Sequence, residues 1–346
     1  MAKIIQVSSD SGVTWYTLPG GTGDLSRDST PVTDTVFGQT YESRDIGLLG
    51  WKVSANAFYK GYTGYTCKIR QQGSTTAFTT EACALVSGKT YQISAATKEI
   101  WDRGTTVTVF DNAVDKTTEV LSIDYLFGKV TFKSTYTPTG PITASGKYFP
   151  TAIIGLPQSY TLTQAANAEE TTDFATAQGN SGYRTYSPGL RQVSLEIGNT
   201  YALASTFAAI LAARSQIIIE VNPDGGLLSL CRGYFKLASE SQSGDVGALE
   251  AESISLVLNV PDPSGTNPPE IPFGWQHAST TTLSTALTKV LNAWESESTI
   301  DVQYLSDGLA GDKGTSIVTE VSLTGGLDSM NEFSLAFQGS GTITVV

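Results

Sequence analysis

Along the C-terminal half of the chain, apolar residues recur first at helical and then at alternating spacing, and this succession occurs twice. In TYALASTFAAILAAR, Leu203, Phe207, Ile210 and Leu211 fall at i, i+4, i+7 and i+8, which is one face of an α-helix. In STTTLSTALTKVLNAWESE, Leu283, Leu287, Val290, Leu291 and Trp294 repeat that spacing, and both segments open with Ser or Thr near the expected N-cap. An alternating strand follows each helix, with Ile217, Ile219 and Val221 in one copy and Ile300, Val302 and Tyr304 in the other. Each ends at a turn, Asp224-Gly225 or Asp307-Gly308. The next strand carries Phe235 and Leu237, or Val321 and Leu323. The last carries Ile254, Leu256 and Leu258, or Phe333, Leu335 and Phe337. Helix, strand, strand, strand is therefore a duplicated unit.

Upstream of the first helix lies GYRTYSPGLRQVSLEIGNTY, and a related segment, QTYESRDIGLLGWKVSANAFY, lies near the N-terminus. Gly189-Leu190 aligns with Gly47-Leu48, Leu195 with Val53, and Tyr201 with Tyr59. No helix pattern follows Tyr59; the helix near residue 285 is the one that completes this copy. The pattern predicts a discontinuous β-sandwich from residues 1–60 and 270–346, and a second sandwich at 151–260. A small β domain without a helix is inserted at 61–150, where the runs YTCKI, KTYQI, TTVTVF, VLSIDY, GKVTFK and GKYFP are separated by turn-forming clusters. A Pro-rich linker at 261–269, within Pro261–Pro272, cannot continue a sheet. The polar stretches Gln164–Pro188 and Gly20–Ile46 read as long loops that order on a partner. Tyr183, Arg184, Tyr186 and Arg191, with Tyr41 and Arg44, are the residue types favoured at interfaces there, and plain surface exposure explains them equally well.

Alternation also sorts the strand faces, because neighbouring side chains on a strand point opposite ways. Val193, Leu195 and Ile197 turn toward a core. Gln192, Ser194 and Glu196 turn away, joined by Ser253 and Ser255; in the other copy the polar set is Lys52, Ser54, Asn56, Ser322, Glu332 and Ser334. Any antiparallel sheet with one solvated face has this polarity.

Composition adjusts the picture in three ways. A chain of 346 residues exceeds the roughly 250 that one core usually serves, so several domains are expected, and abundant Gly, Thr, Ser and Tyr favour a mainly β fold. Lys and Arg number 21 against 33 Asp and Glu, a net charge of −12 with no basic stripe, which argues against a tight grip on nucleic acid. Cys67, Cys83 and Cys231 form no CxxC pair, so neither a zinc ribbon nor a disulfide framework is expected. No signal-peptide pattern opens the chain and no apolar run approaches a membrane span, so synthesis in the cytoplasm and no membrane partner are expected.

Candidate chemistry is sparse. His277 is the single histidine, and it reads as a packing or capping residue rather than a base. Neither Gly-x-Ser-x-Gly nor a phosphate-binding loop occurs. A glycosidase needs only two carboxylates, for which Glu250 with Glu252 or Glu295 with Glu297 can be nominated, but nothing in the sequence singles out a pair. No catalytic, metal or cofactor site is expected.

GYRTYSPGLRQVSLEIG followed by a helix, then strands with a DG turn, then EFSLAFQGSGTI (Glu332–Ile343) resembles the major tail tube proteins of long-tailed bacteriophages. The resemblance covers most of the chain apart from residues 61–150, which look like an Ig-like decoration. It implies two tail-tube-like β-sandwiches, each flanked by one α-helix, plus the small inserted all-β domain projecting outward. It further implies a non-enzymatic virion protein that polymerises into stacked hollow rings, with the polar sheet face toward the lumen. Three chains with two sandwiches each would complete a pseudo-sixfold ring; six would be needed if only one sandwich has the tube fold. The implied partners are other copies of the chain, tape-measure, tail terminator and baseplate proteins, and genomic DNA in passage. Host attachment, a tail-terminator or baseplate role, or a glycosidase are the alternatives. Trp15, Trp51, Trp101, Trp275 and Trp294, scattered one per segment, suit cores better than a sugar-binding platform.

Overall fold

The computed structural model describes residues 3–33, 44–58, 67–200, 206–223, 229–243, 251–260, 272–277, 284–326 and 329–346. The N-terminal part supplies β1 (Ile4–Ser8), β2 (Tyr16–Thr17), β3 (Gly20–Thr33) and β4 (Arg44–Phe58), and β5 (Cys67–Gln72) follows. Next come β6 (Thr76–Ser87), β7 (Thr90–Ile93), β8 (Thr108–Asp111), β9 (Val114–Asp115), β10 (Val120–Asp124), β11 (Lys129–Phe132) and β12 (Ile142–Tyr148). The middle of the chain forms β13 (Thr151–Gly155), β14 (Pro157–Glu170), α1 (Phe174–Gly179), β15 (Tyr186–Thr200), α2 (Thr206–Ala213), β16 (Gln216–Val221), β17 (Ser229–Ser243) and β18 (Ala251–Leu258). The C-terminal part adds β19 (Phe273–His277), α3 (Thr285–Glu295), β20 (Ile300–Leu305), β21 (Gly311–Gly326) and β22 (Ser329–Val345).

The fold is mainly β, with two curled antiparallel sheets of fifteen and seven strands. The large sheet carries the duplicated unit twice in the same strand order, β5-β16-β17-β18-β15-β14 and β1-β20-β21-β22-β4-β3. Register agrees as well as order. Leu162 opposes Leu195 as Leu25 opposes Val53, and both strand pairs slip at corresponding places, Ala166/Ala168 and Ser29/Pro31. β17 and β21 likewise bulge at Leu237/Ser239 and Val318/Glu320, which makes Leu237 the counterpart of Val318 and Leu256 that of Phe337, not of Leu323 and Leu335 as the periodicity suggests. The two copies join directly, because β14 pairs along β21 from Ser159↔Gly326 to Ala165↔Glu320.

One apolar face of this sheet holds the core. Val53, Leu162, Leu195, Leu256, Val321, Leu323, Phe333 and Phe337 are all buried there. α2 closes the core over β17 with Phe207 and Ile210; α3 closes it over β21, β1 and β2 with Leu287, Val290, Leu291 and Trp294. The Ser284 hydroxyl caps α3 by accepting the Leu287 N–H at 3.2 Å. The seven-stranded sheet, β6 to β12, has its own core around Trp101, Val109, Tyr125, Val130 and Phe132. It is inserted between β5 and β13, where the other copy has only the short turn from β1 to β2.

Three expectations are corrected. Gly20–Ile46 and Gln164–Pro188 are not simply loops, since β3 and β14 occupy much of them. Their strand character is hidden because small and polar residues dominate, with Leu25 and the exposed Val32 the only large aliphatic side chains in β3. The YTCKI run does not belong to the inserted sheet: β5 pairs with β16 from Cys67↔Val221 to Gln71↔Ile217, its Ile69 buried in the main core. α1, capped by Asp173 and Thr176 on each other's backbone, was not expected at all. Tyr41, Tyr59, Tyr201, Leu203, the Asp224-Gly225 turn, Glu250, the 261–269 linker and Leu283 lie outside the described residues.

Candidate functional site

Residues directly opposite on paired strands share a face, so the register shows where the polar candidates stand. Asn56, Ser334, Ser322, Thr163 and Ser194 form one lateral row across β4, β22, β21, β14 and β15. Glu332, Thr324, Thr161, Glu196 and Ser255 form the next, ending at Ser239 of β17. Ser54, Ala336, Glu320, Ala165 and Gln192 form a third; Lys52 continues the face beside Gln338, and Ser253 continues it opposite Ser241. The structure therefore brings every polar-face candidate from both copies onto one continuous surface, opposite the buried core. None of these candidates is buried, and the Ser255 hydroxyl donates to Glu196 at 2.6 Å. Acids (Asp24, Glu196, Glu320, Glu332) outnumber bases (Lys52, Lys236) along it; no aromatic residue stands in the first or third row, and Phe58 of β4 is the register partner of Glu332 at the end of the second.

The interface candidates are placed differently from expectation. Tyr186 and Arg191 stand on β15 and Arg44 opens β4, in strands rather than loops. Only Tyr183 and Arg184 lie between elements, and they serve the chain itself. Arg184 N–H donates to Leu49 O at 2.9 Å, its carbonyl accepts from Gly341 at 2.8 Å, and its guanidinium reaches Thr30 and, at 3.8 Å, Glu170. Arg191 crosses from one repeat to the other: it donates to the Trp294 and Glu295 carbonyls at 3.1 and 2.8 Å, pairs with Glu297 at 2.9 Å and stacks over Trp294. A cation on those carbonyls offsets the negative end of α3. Trp275 seals the same junction, donating its indole N–H to Gln164 at 3.0 Å.

The titratable groups nominated for chemistry are built into this packing. His277 stacks on Trp275 with its Nδ1 3.3 Å from the Ser229 hydroxyl; burial, aided by Lys129, pushes its pKa down to about 4, so it is neutral at pH 7. Glu295 accepts the Trp275 N–H at 2.7 Å, and burial pushes it up to about 7. It lines a cleft of about 800 Å³ with Asp124, Arg191, Trp275 and Trp294. Glu297 is exposed on Arg191, and burial together with Glu240 raises the Glu252 carboxyl.

A charged cluster that the sequence did not reveal fixes the small sheet to the large one. Glu220, almost wholly buried, accepts from Arg70, Lys68 and Arg232 at 3.1 to 3.4 Å. Burial opposes its ionisation, but the Arg232 and Arg70 guanidiniums outweigh that and hold its pKa below the usual range. Arg232 continues to Glu99 at 2.9 Å and to Leu126 O at 3.0 Å. Ile218, Leu230 and Tyr234 pack beside it against Ile100, Leu126 and Phe127. The other repeat lacks this cover, and there Asp301 and Thr315 stand where Ile218 and Tyr234 stand here.

No protein-family model matches the chain, and no curated protein matches it. Among the described residues, no helix is long and apolar enough to cross a membrane.

Proposed function

We propose that this chain is a non-enzymatic structural subunit of a long-tailed bacteriophage virion that polymerises into stacked rings, forming a hollow tail tube through which DNA passes. The observation that carries this reading is the direct joining of the two repeats through β14 and β21, which makes one chain two consecutive segments of a larger curled sheet. In this reading each repeat is a tail-tube-like sandwich flanked by its helix, and three chains complete a pseudo-sixfold ring. The continuous polar face lines the lumen. A wetted surface with excess acid and few aromatic residues lets DNA slide, because phosphate affinity needs Lys and Arg and base affinity needs aromatic platforms. The seven-stranded sheet packs on Ile218, Leu230 and Tyr234, on the same side of β17 as Lys236, and so sits at the β16 end of the polar face. Assembly in the host cytoplasm, with tape-measure, terminator and baseplate proteins as further partners, belongs to the same reading.

Negative-stain electron microscopy of the purified chain across concentration tests it. Hollow rings or tubes with threefold outer and near-sixfold inner averages are expected. Persistent monomers, even with an assembly initiator added, would refute it in favour of a host-attachment module.

A further inference from the structure

The junction inside the chain has a counterpart that the chain alone leaves open. Within the chain, one edge of β21 is shared: its first half pairs with β20 and its second half with β14. In the other repeat the corresponding edge of β17 pairs with β16 only as far as Lys236, and beyond Leu237 the described residues offer β17 no partner but β18 on its other edge. The strand corresponding to β14 is β3, fourteen residues long, which among the described residues pairs only with β4. Both repeats thus keep one half of the same joint, on opposite flanks of the molecule. Long unpaired edges of this kind are templates for strand addition.

We propose that β3 of one chain adds to the free edge of β17 on a second copy of this chain, antiparallel, in the register of the internal joint. Transferring that register through the matched bulges sets Asp24 opposite Ser243, Leu25 opposite Gln242, Ser26 opposite Ser241, Arg27 opposite Glu240 and Asp28 opposite Ser239. The inference rests on the ring-building reading above and supplies its lateral contact.

Chemistry at the two edges supports this pairing. Inside the chain, Leu162 and Gln164 are buried against Leu323 and Val321. The matching Leu25 is only half-buried, and the side chain of the matching Arg27 is 53% exposed, as expected of a joint awaiting its partner. Where Gln164 meets Val321, the open joint would bring Arg27 to Glu240, a pair of opposite charge. Glu240 stands beside Glu252, whose carboxyl is held above its ordinary range first by burial and then by its hydrogen bond to, and repulsion from, Glu240. An arriving guanidinium relieves that repulsion. Arg27 holds Asp312 at 2.6 Å, and its five N–H donors are enough for both acids. Because the two edges differ, the contact is head-to-tail, and such contacts propagate until a ring closes.

The test is disulfide trapping in the full-length chain. Ser26→Cys with Ser241→Cys, in a Cys83→Ala background, is oxidised and compared with each single variant and with the off-register pair Ser26→Cys and Ser239→Cys. A ladder of covalent dimers and larger species from the in-register pair alone is expected. In parallel, Arg27→Glu and Glu240→Arg should each lower the assembled fraction roughly fivefold at fixed concentration, and the double variant should restore it. A ladder without tubes supports the strand pairing and refutes the tube. Tubes with no ladder, or with a ladder only from the off-register pair, overturn the pairing and leave the tube standing. The absence of both overturns both.

Discussion

At the scale of single residues, the repeats show which identities are set by geometry and which by local cover. Gly47 and Gly189 recur because each lies on the two-residue side of a β-bulge, with Leu48 or Leu190 beside it, against a single residue of the partner strand, Thr30 or Asn167. A Cβ on Gly47 would lie 2.4 Å from Thr30 O, and one on Gly189 would lie 2.7 Å from the Glu169 side chain and 3.2 Å from Asn167 O. Gly339 is needed for another close approach, since a Cβ there would lie 2.0 Å from the Trp51 indole, which is buried and donates to Gly341 O at 3.0 Å. Glu295 gives a prediction in pH. Its folded pKa of about 7 exceeds the ordinary 4.5, so the folded chain retains a proton that the unfolded chain releases. Its contribution is fully present below pH 4.5 and is lost as pH rises to 7. His277, pushed down to about 4, acts oppositely and strengthens folding as pH rises from 4 to 6.5. Glu295→Gln, which can still accept the Trp275 N–H, is expected to gain on the order of 2–3 kcal/mol relative to the native chain between pH 5 and pH 8. Urea unfolding at the two pH values measures this, and an equal offset at both would contradict it.

At the scale of elements, α2 and α3 were readable, while α1 and the polar strands β3 and β14 were not. α3 follows its apolar stripe because burial of that stripe fixes its orientation over β21. β3 and β14 escaped detection because half of each faces solvent and the polar–apolar contrast is weak, so a sequence reading finds loops where hydrogen-bonded ladders form. The pair also supports a comparison. Leu162→Ala, in the closed joint, is expected to cost about 2–5 kcal/mol of folding stability. Leu25→Ala, at the same place in the open joint, should cost the isolated chain no more than about half of that, while weakening assembly. Thermal melts of the monomer beside sedimentation of the assembled form separate the two effects; equal destabilisation of the monomer would count against β3 being an open edge.

At the scale of the whole molecule, the small sheet is an addition to one repeat rather than part of the shared frame. Its ends meet, with Gly73 N–H donating to Pro150 O at 2.8 Å, and its core is separate from the main one. Residues 74–150 expressed alone are therefore expected to fold, giving dispersed amide resonances. Ile100, Leu126 and Phe127, which cover Ile218, Leu230 and Tyr234 in the intact chain, would be left exposed and should bind a hydrophobic dye. A collapsed amide spectrum would show that the Glu220–Arg232 cluster and its neighbours are needed for this sheet to form.

Sequence by itself determined the mainly β class, the duplicated helix and strands, and the alternation that separates a core face from a polar one, because these are local periodicities imposed by burial on one side of each element. It also placed Gln192, Ser194 and Glu196 with Lys52, Ser54 and Asn56 as equivalent polar positions. Tertiary structure alone decided that these positions lie in continuous rows across both repeats, since strand order and register depend on partners more than a hundred residues apart. It likewise turned Arg184 and Arg191 inward as ties between repeats and gathered Glu220, Arg70 and Arg232 into one buried cluster. A charge carries no periodic signal, and its partner is chosen only when the chain closes on itself.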